Sequence, residues 1–186
     1  MEADRRQDNL EAGLPASVIR IVDGVLTIAA TVVALSALIV LFISIGLEVI
    51  VRYLTTQSLG WSSELPNIFF PWLVMGGIVL AAQRGAHISV TLVLDSLGRG
   101  ASRVLLLVMQ VFVAATFFYL AYIGLAVIEI TGSEVYPVTG IPARWAYLAL
   151  IAGFVGVGLT AATTFFRVLA SEEPRSVRAP VQRDEV

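Results

Sequence analysis

Few residues in this chain have the types and spacing that chemistry needs. There is no cysteine, which removes disulfides, thiolate catalysis and thiol metal sites together. The one histidine, His87, has neither cysteine nor clustered carboxylates beside it, so it cannot complete a metal's ligand set. Ser36 and Ser44 carry hydroxyls within an apolar run. A serine nucleophile needs a base at matched depth, and His87 lies in a polar turn. No catalytic, cofactor-binding or metal site is expected, and the chain does not read as an enzyme. The other deep polar side chains are Asn67, Gln110, Thr116 and Thr160. Between helices in lipid their hydrogen bonds contribute about 0.6 to 2 kcal/mol each, and Asn67 and Gln110 are read as helix-packing contacts.

The elements that hold these residues follow from composition. Of the residues, 58% are hydrophobic and 14% charged, with a formal net charge of −2. That charge is too small to argue for nucleic acid. Four uncharged runs lie between Asp23 and Glu48, Glu64 and Arg84, Arg103 and Glu129, and Arg144 and Arg167. Each is roughly 19 to 25 residues, enough to cross a hydrocarbon layer of about 30 Å as a helix. In lipid the backbone must satisfy its own hydrogen bonds, so helices are expected. No ionisable residue sits mid-run, where it would mark an ion path or a proton relay. The fold class is all-α integral membrane with four transmembrane helices. Residues 1–22 read as a polar N-terminal tail, 23–168 as the membrane domain and 169–186 as a C-terminal tail. Ile88 to Leu97 read as a short interfacial helix between spans two and three, too short to cross. Arginines crowd one side: Arg5, Arg6, Arg20, Arg84, Arg99, Arg103 and the four after the last span. Arg52 and Arg144 fall on the other side. This bias puts both termini in the cytoplasm.

The outer edge carries the most pattern. Arg52 at the end of span one and Glu64 at the start of span two each complement a helix dipole. Glu48 and Arg52 have the favourable four-residue spacing. Arg52, Trp61 and Glu64 are expected to form one constellation that fixes the loop between these spans. Trp61, Trp72 and Trp145 suit the interfacial belt, Trp72 somewhat deeper. Pro66 is expected in the first turn of span two, and Pro71 one turn deeper, where it bends the helix. Gly76 and Gly77, then Ala149, Ala152, Gly153 and Gly156, permit close helix contact.

Together these residues resemble a known family. Arg52-Tyr53, Trp61-Ser62-Ser63-Glu64, Trp72, Gly76, Arg84, His87-Ile88 and Val90 look like the signature of the small membrane subunit of tripartite ATP-independent periplasmic (TRAP) transporters. Pro137, Gly140-Ile141-Pro142, Trp145 and Tyr147 resemble the stretch before that family's last span. The likeness covers about residues 20 to 168. The family often has an acid directly after the position of Val90, where this chain has Thr91. The resemblance implies a multi-pass protein of the bacterial inner membrane. Its implied partners are a large multi-span permease subunit, a periplasmic substrate-binding protein and membrane lipid. It also implies sodium-coupled uptake of organic anions such as dicarboxylates, keto acids or sugar acids, with the sodium and substrate sites on the large subunit. The small subunit then serves as a scaffold. Arg52, Trp61, Glu64, Trp72, Gly76, Gly77, Arg84, His87, Pro137, Pro142 and Trp145 become candidate interface or structural residues. The alternative is a self-sufficient small channel or carrier, which would want polar residues along a path through several spans.

The topology is directly testable, because the chain has no cysteine of its own. Ser58→Cys and Ser133→Cys should react with an impermeant thiol reagent added to intact spheroplasts, and Ser96→Cys should stay silent. The reverse pattern would invert the orientation.

Overall fold

The computed structural model describes residues 2–55, 59–84 and 99–170. Among these residues four helices follow in order: α1 Glu2–Thr55, α2 Gly60–Gln83, α3 Arg99–Thr131 and α4 Arg144–Ala170. Each contains a stretch long and apolar enough to cross a membrane: Ser17–Thr55, Gly60–Gln83, Ala101–Thr131 and Arg144–Leu169. The four spans therefore stand as expected. His87 and the interfacial helix from Ile88 to Leu97 lie outside the described residues, as does the segment after 170. α1 begins at Glu2, so the polar N-terminal segment continues the first span as helix. Its 39-residue apolar part would run about 58 Å at 1.5 Å per residue. That exceeds the hydrocarbon thickness, and the excess must tilt or project.

α4 is the inner helix. It packs on α3 along one side and on α2 along the other, α1 packs on α2, and α1 meets α4 over a short stretch. Half of α4's most apolar stretch is buried, against 6% for α3. Small residues explain the difference. A Cβ at Gly153 would overlap the Met75 side chain, and one at Gly156 would come within 2.8 Å of Val79. Met75 and Val79, one turn apart on α2, thus seat in hollows that the two glycines leave on α4. Gly76 faces the other way, where an added Cβ would meet Ala34 of α1 at 3.0 Å. Gly77 has nothing within 4 Å, so only the first of the Gly76-Gly77 pair makes a close contact among the described residues. Ser102, Thr160 and Thr164 are buried polar residues. Thr160 and Thr164 donate to backbone carbonyls one turn back, Gly156 at 2.9 Å and Thr160 at 2.7 Å. Asn67 and Gln110, expected to bond across helices, have no hydrogen-bond partner among the described residues.

The glycine contacts predict an asymmetry. Gly153→Ala should destabilise the isolated protein by about 1–3 kcal/mol through overpacking. Gly77→Ala should change stability by no more than about 0.5 kcal/mol. Unfolding in detergent, followed by loss of helical circular dichroism, measures both.

Candidate functional site: the α1–α2 rim and its carboxylates

The first turn of α2 has no cap from its own side chains; Leu59 occupies the N-cap position. The missing acceptor comes from α1. The Glu48 carboxylate accepts from Leu59 N at 3.0 Å and from the Ser62 hydroxyl. A negative group at a helix N-terminus satisfies free N–H groups and the helix dipole together. Arg52, in the last turn of α1, completes the group through a 2.9 Å ion pair with Glu48.

Glu64 sits past the first turn, because α2 starts at Gly60. The dipole role assigned to Glu64 therefore belongs to Glu48. The same start puts Pro66 in the second turn, so its missing N–H leaves the Ser62 carbonyl without its helical donor. The Ser44 hydroxyl of α1 donates there instead, at 3.2 Å, with both serines buried. Ser44 is thus a structural hydroxyl, repairing the gap that proline opens.

Glu64 is 7% exposed and reaches far along the chain. Its carboxylate accepts from Val138 N at 2.9 Å, Thr139 N at 2.8 Å and the Thr139 hydroxyl at 2.8 Å. These donors form the tip of the connection between α3 and α4. That connection is a small hairpin-like loop. Tyr136 N donates to Ile141 O at 3.1 Å, Ala143 N to Glu134 O at 2.8 Å, and Val135 bridges to Pro142. Pro137 presets the turn's backbone, and Gly140 takes φ +68°, a left-handed conformation that favours glycine. The turn leaves two successive N–H groups pointing at one carboxylate. Burial pushes the phenol of Tyr136 above its ordinary range, with Tyr147, Glu64 and Glu134 adding to the shift, so this hydroxyl stays neutral.

The Arg52–Trp61–Glu64 constellation is therefore corrected. Arg52 goes to Glu48, and Glu64 goes to the loop. Trp61 lies partly exposed in the first turn of α2. The reason is reach: Glu48 lies one turn before Arg52 on the same helix, whereas two backbone N–H groups hold Glu64 on its other side. The two halves of the signature, Trp61 to Glu64 and Pro137 to Trp145, meet through Glu64. A second tie joins them deeper, where Trp72 Nε1 donates to the Trp145 carbonyl at 3.0 Å. Trp72 is anchored by protein rather than left to the headgroup layer.

The opposite end has its own polar cluster. Arg167 of α4 pairs with Asp23 of α1 at 2.5 Å, and Thr163 donates to the same carboxylate at 2.7 Å. Gln83 of α2 donates to the Asp23 carbonyl at 3.4 Å and accepts from Thr27. Arg103 of α3 donates to the Leu169 carbonyl at 2.5 Å. Arg84 is the exposed C-cap of α2. This cluster was missed in the sequence, where Asp23 and Arg167 read only as run boundaries. Among the described residues no three histidine, cysteine or acidic side chains group as metal ligands.

A double-mutant cycle separates the two rim groups. Glu64→Ala and Thr139→Val should be strongly non-additive in stability, because they remove one shared contact. Arg52→Ala and Glu64→Ala should be additive, and Arg52→Ala alone should cost no more than about 1 kcal/mol, as an exposed ion pair does.

The family model for tripartite ATP-independent periplasmic transporters, DctQ component, matches residues 41–171. That range takes in both carboxylate groups of the rim and all of α2, α3 and α4. An uncharacterized protein, y4mM, of Sinorhizobium fredii is 36% identical over 132 residues; these are 70% of this chain and 24% of that protein. The chain thus spans about a quarter of that relative's length. A TRAP transporter small permease protein of Haemophilus influenzae is 26% identical over 73% of this chain and 78% of its own. The ectoine TRAP transporter small permease protein TeaB of Halomonas elongata is 25% identical over 92% of this chain and 90% of its own. With four membrane-crossing helices and the signature joined at Glu64, the chain is a multi-pass bacterial inner-membrane protein and belongs to the DctQ family, the small permease component of TRAP transporters.

Proposed function

We propose that this chain is the accessory scaffold of a sodium-coupled, binding-protein-dependent secondary transporter for organic anions. It braces a large permease subunit, and a periplasmic binding protein delivers the substrate. The observation that carries this reading is where the carboxylates go. Asp23, Glu48 and Glu64 each accept hydrogen bonds from another element of this same chain. Their charge is engaged in holding helices and loop together. An anion carrier needs charges, helix N-termini or freed carbonyls turned toward a path. Here the N-terminus of α2 is met by Glu48, and of the two prolines inside α2 the carbonyl freed by Pro66 is met by Ser44. Much of what faces outward is apolar: Phe112 of α3 and Phe166 of α4 are each more than half exposed. Such a block supports a partner's moving parts and holds still itself. The Halomonas relative is named for ectoine, so ectoine belongs beside organic acids among the substrates to test.

Purified alone in proteoliposomes under a sodium gradient, with binding protein and candidate substrates, the chain should give no uptake. Adding the large subunit should restore transport. Robust uptake without the large subunit would overturn the scaffold reading in favour of a self-sufficient carrier.

A further inference from the structure

Two long helices turn wide apolar faces outward, and they differ in one respect. Along α1 the exposed face is aliphatic and aromatic, with Val32, Leu35, Ile39 and Phe42. Its exposed hydroxyl at Ser36 returns to the Val33 carbonyl at 2.9 Å. Along α3 the exposed stripe is Val108, Phe112, Ala115, Tyr119, Tyr122 and Ala126, at helical three- and four-residue spacing. Tyr119 is 63% exposed and Tyr122 72%. Neither phenol has a hydrogen-bond partner among the described residues.

Depth makes these phenols informative. At 1.5 Å per residue, Tyr119 lies about 24 Å beyond Arg103 and about 15 Å short of Glu129. Tyr122 is about 10 Å short of Glu129. Both therefore fall within a hydrocarbon layer of about 30 Å centred between those charges. Side chains on a helix lean toward its N-terminus, which here carries both hydroxyls toward the middle of the span, away from the nearer headgroups. A tyrosine facing lipid belongs at the interface. Two unpaired hydroxyls at this depth are unfavourable against hydrocarbon, and each is relieved by one acceptor.

We propose that the Tyr119–Tyr122 stripe of α3 is the face that docks the large permease subunit. Its occupant is a transmembrane helix that offers hydrogen-bond acceptors, from hydroxyls, amides or carbonyls bared by small residues. Ala115 and Ala126 flank the two tyrosines and let such a helix approach. The aliphatic face of α1 is left to lipid. This inference rests on the reading of the chain as an accessory to a larger membrane subunit.

The test uses the full chain co-expressed with its large subunit in membranes. A benzophenone amino acid replaces Tyr122 in one variant and Phe42 of α1 in another. Position 122 should crosslink to the large subunit, and position 42 should give lipid adducts alone. Separately, Tyr119→Phe and Tyr122→Phe should each weaken retention of the chain on the affinity-purified large subunit by about threefold, with helical content unchanged. If the wild-type chain co-purifies with the large subunit but position 122 crosslinks lipid, or a second copy of this chain, the face is wrong and the scaffold reading survives. If the wild-type chain does not co-purify at all, both fall.

Discussion

A carboxylate packed against neighbouring backbone must be met by donors, and Glu64, 7% exposed, is met by the tip of the loop that joins α3 and α4. That single group sets much of this end of the bundle. Two adjacent N–H groups converge on it because the turn from Tyr136 to Ile141 is closed by its own backbone bonds and by a left-handed Gly140. Were the turn to open, the carboxylate would lose both N–H donors at once. Loop shape and carboxylate position therefore require each other. The contact of Gly60 with Val138, where an added Cβ would stand 3.1 Å away, lies beside the same loop tip.

The ends and the middle of the bundle are held by different physics. Polar ties hold the ends: Glu48 and Glu64 at the rim, and Asp23 with Arg167 at the other end. Shape holds the middle, where Gly153 and Gly156 receive Met75 and Val79. This division suits lipid. The hydrophobic effect gives little drive between helices that are equally apolar inside and out, so close packing must act where polar groups are excluded. Near the headgroups, hydrogen bonds can form without isolating a charge at depth.

The four spans were legible in the sequence because the charges delimit them and the runs between are uniform. The Glu48–Arg52 pair was legible because it is local, one helical turn apart. The partners of Glu64 were not. They lie on the α3–α4 connection, remote in sequence, and nothing in spacing says which N–H a carboxylate will meet. Asp23 and Arg167 were hidden for the same reason. Pro66 misled in a specific way: proline commonly marks a first turn, but here the helix starts earlier, at Gly60. The displaced backbone bond is satisfied by Ser44, a residue that looked like one more hydroxyl in an apolar run. The loss of one donor to proline thus appears in the sequence as two unrelated residues.

One consequence concerns α1. It rests on α2 for much of its length, while its link to α4 is concentrated at the Asp23 end. Between them lies an apolar cavity of about 130 Å³, lined by Ala30 and Val33 of α1, Met75 and Gly76 of α2, and Ala152 and Gly153 of α4. More than half of the residues lining it are alanine or glycine. The middle of α1 packs on α2, where Ala34 meets Gly76, and a polar tie holds each end. At the rim that is Glu48 on the N-terminus of α2, and at the other end it is Asp23 on Arg167. Alignment of α1 therefore depends on α2 and α4 keeping their mutual register, and that register is set by two glycines one turn apart. The glycine seam between α2 and α4 therefore positions both anchors of α1, which is the rigidity that the proposed bracing role calls for.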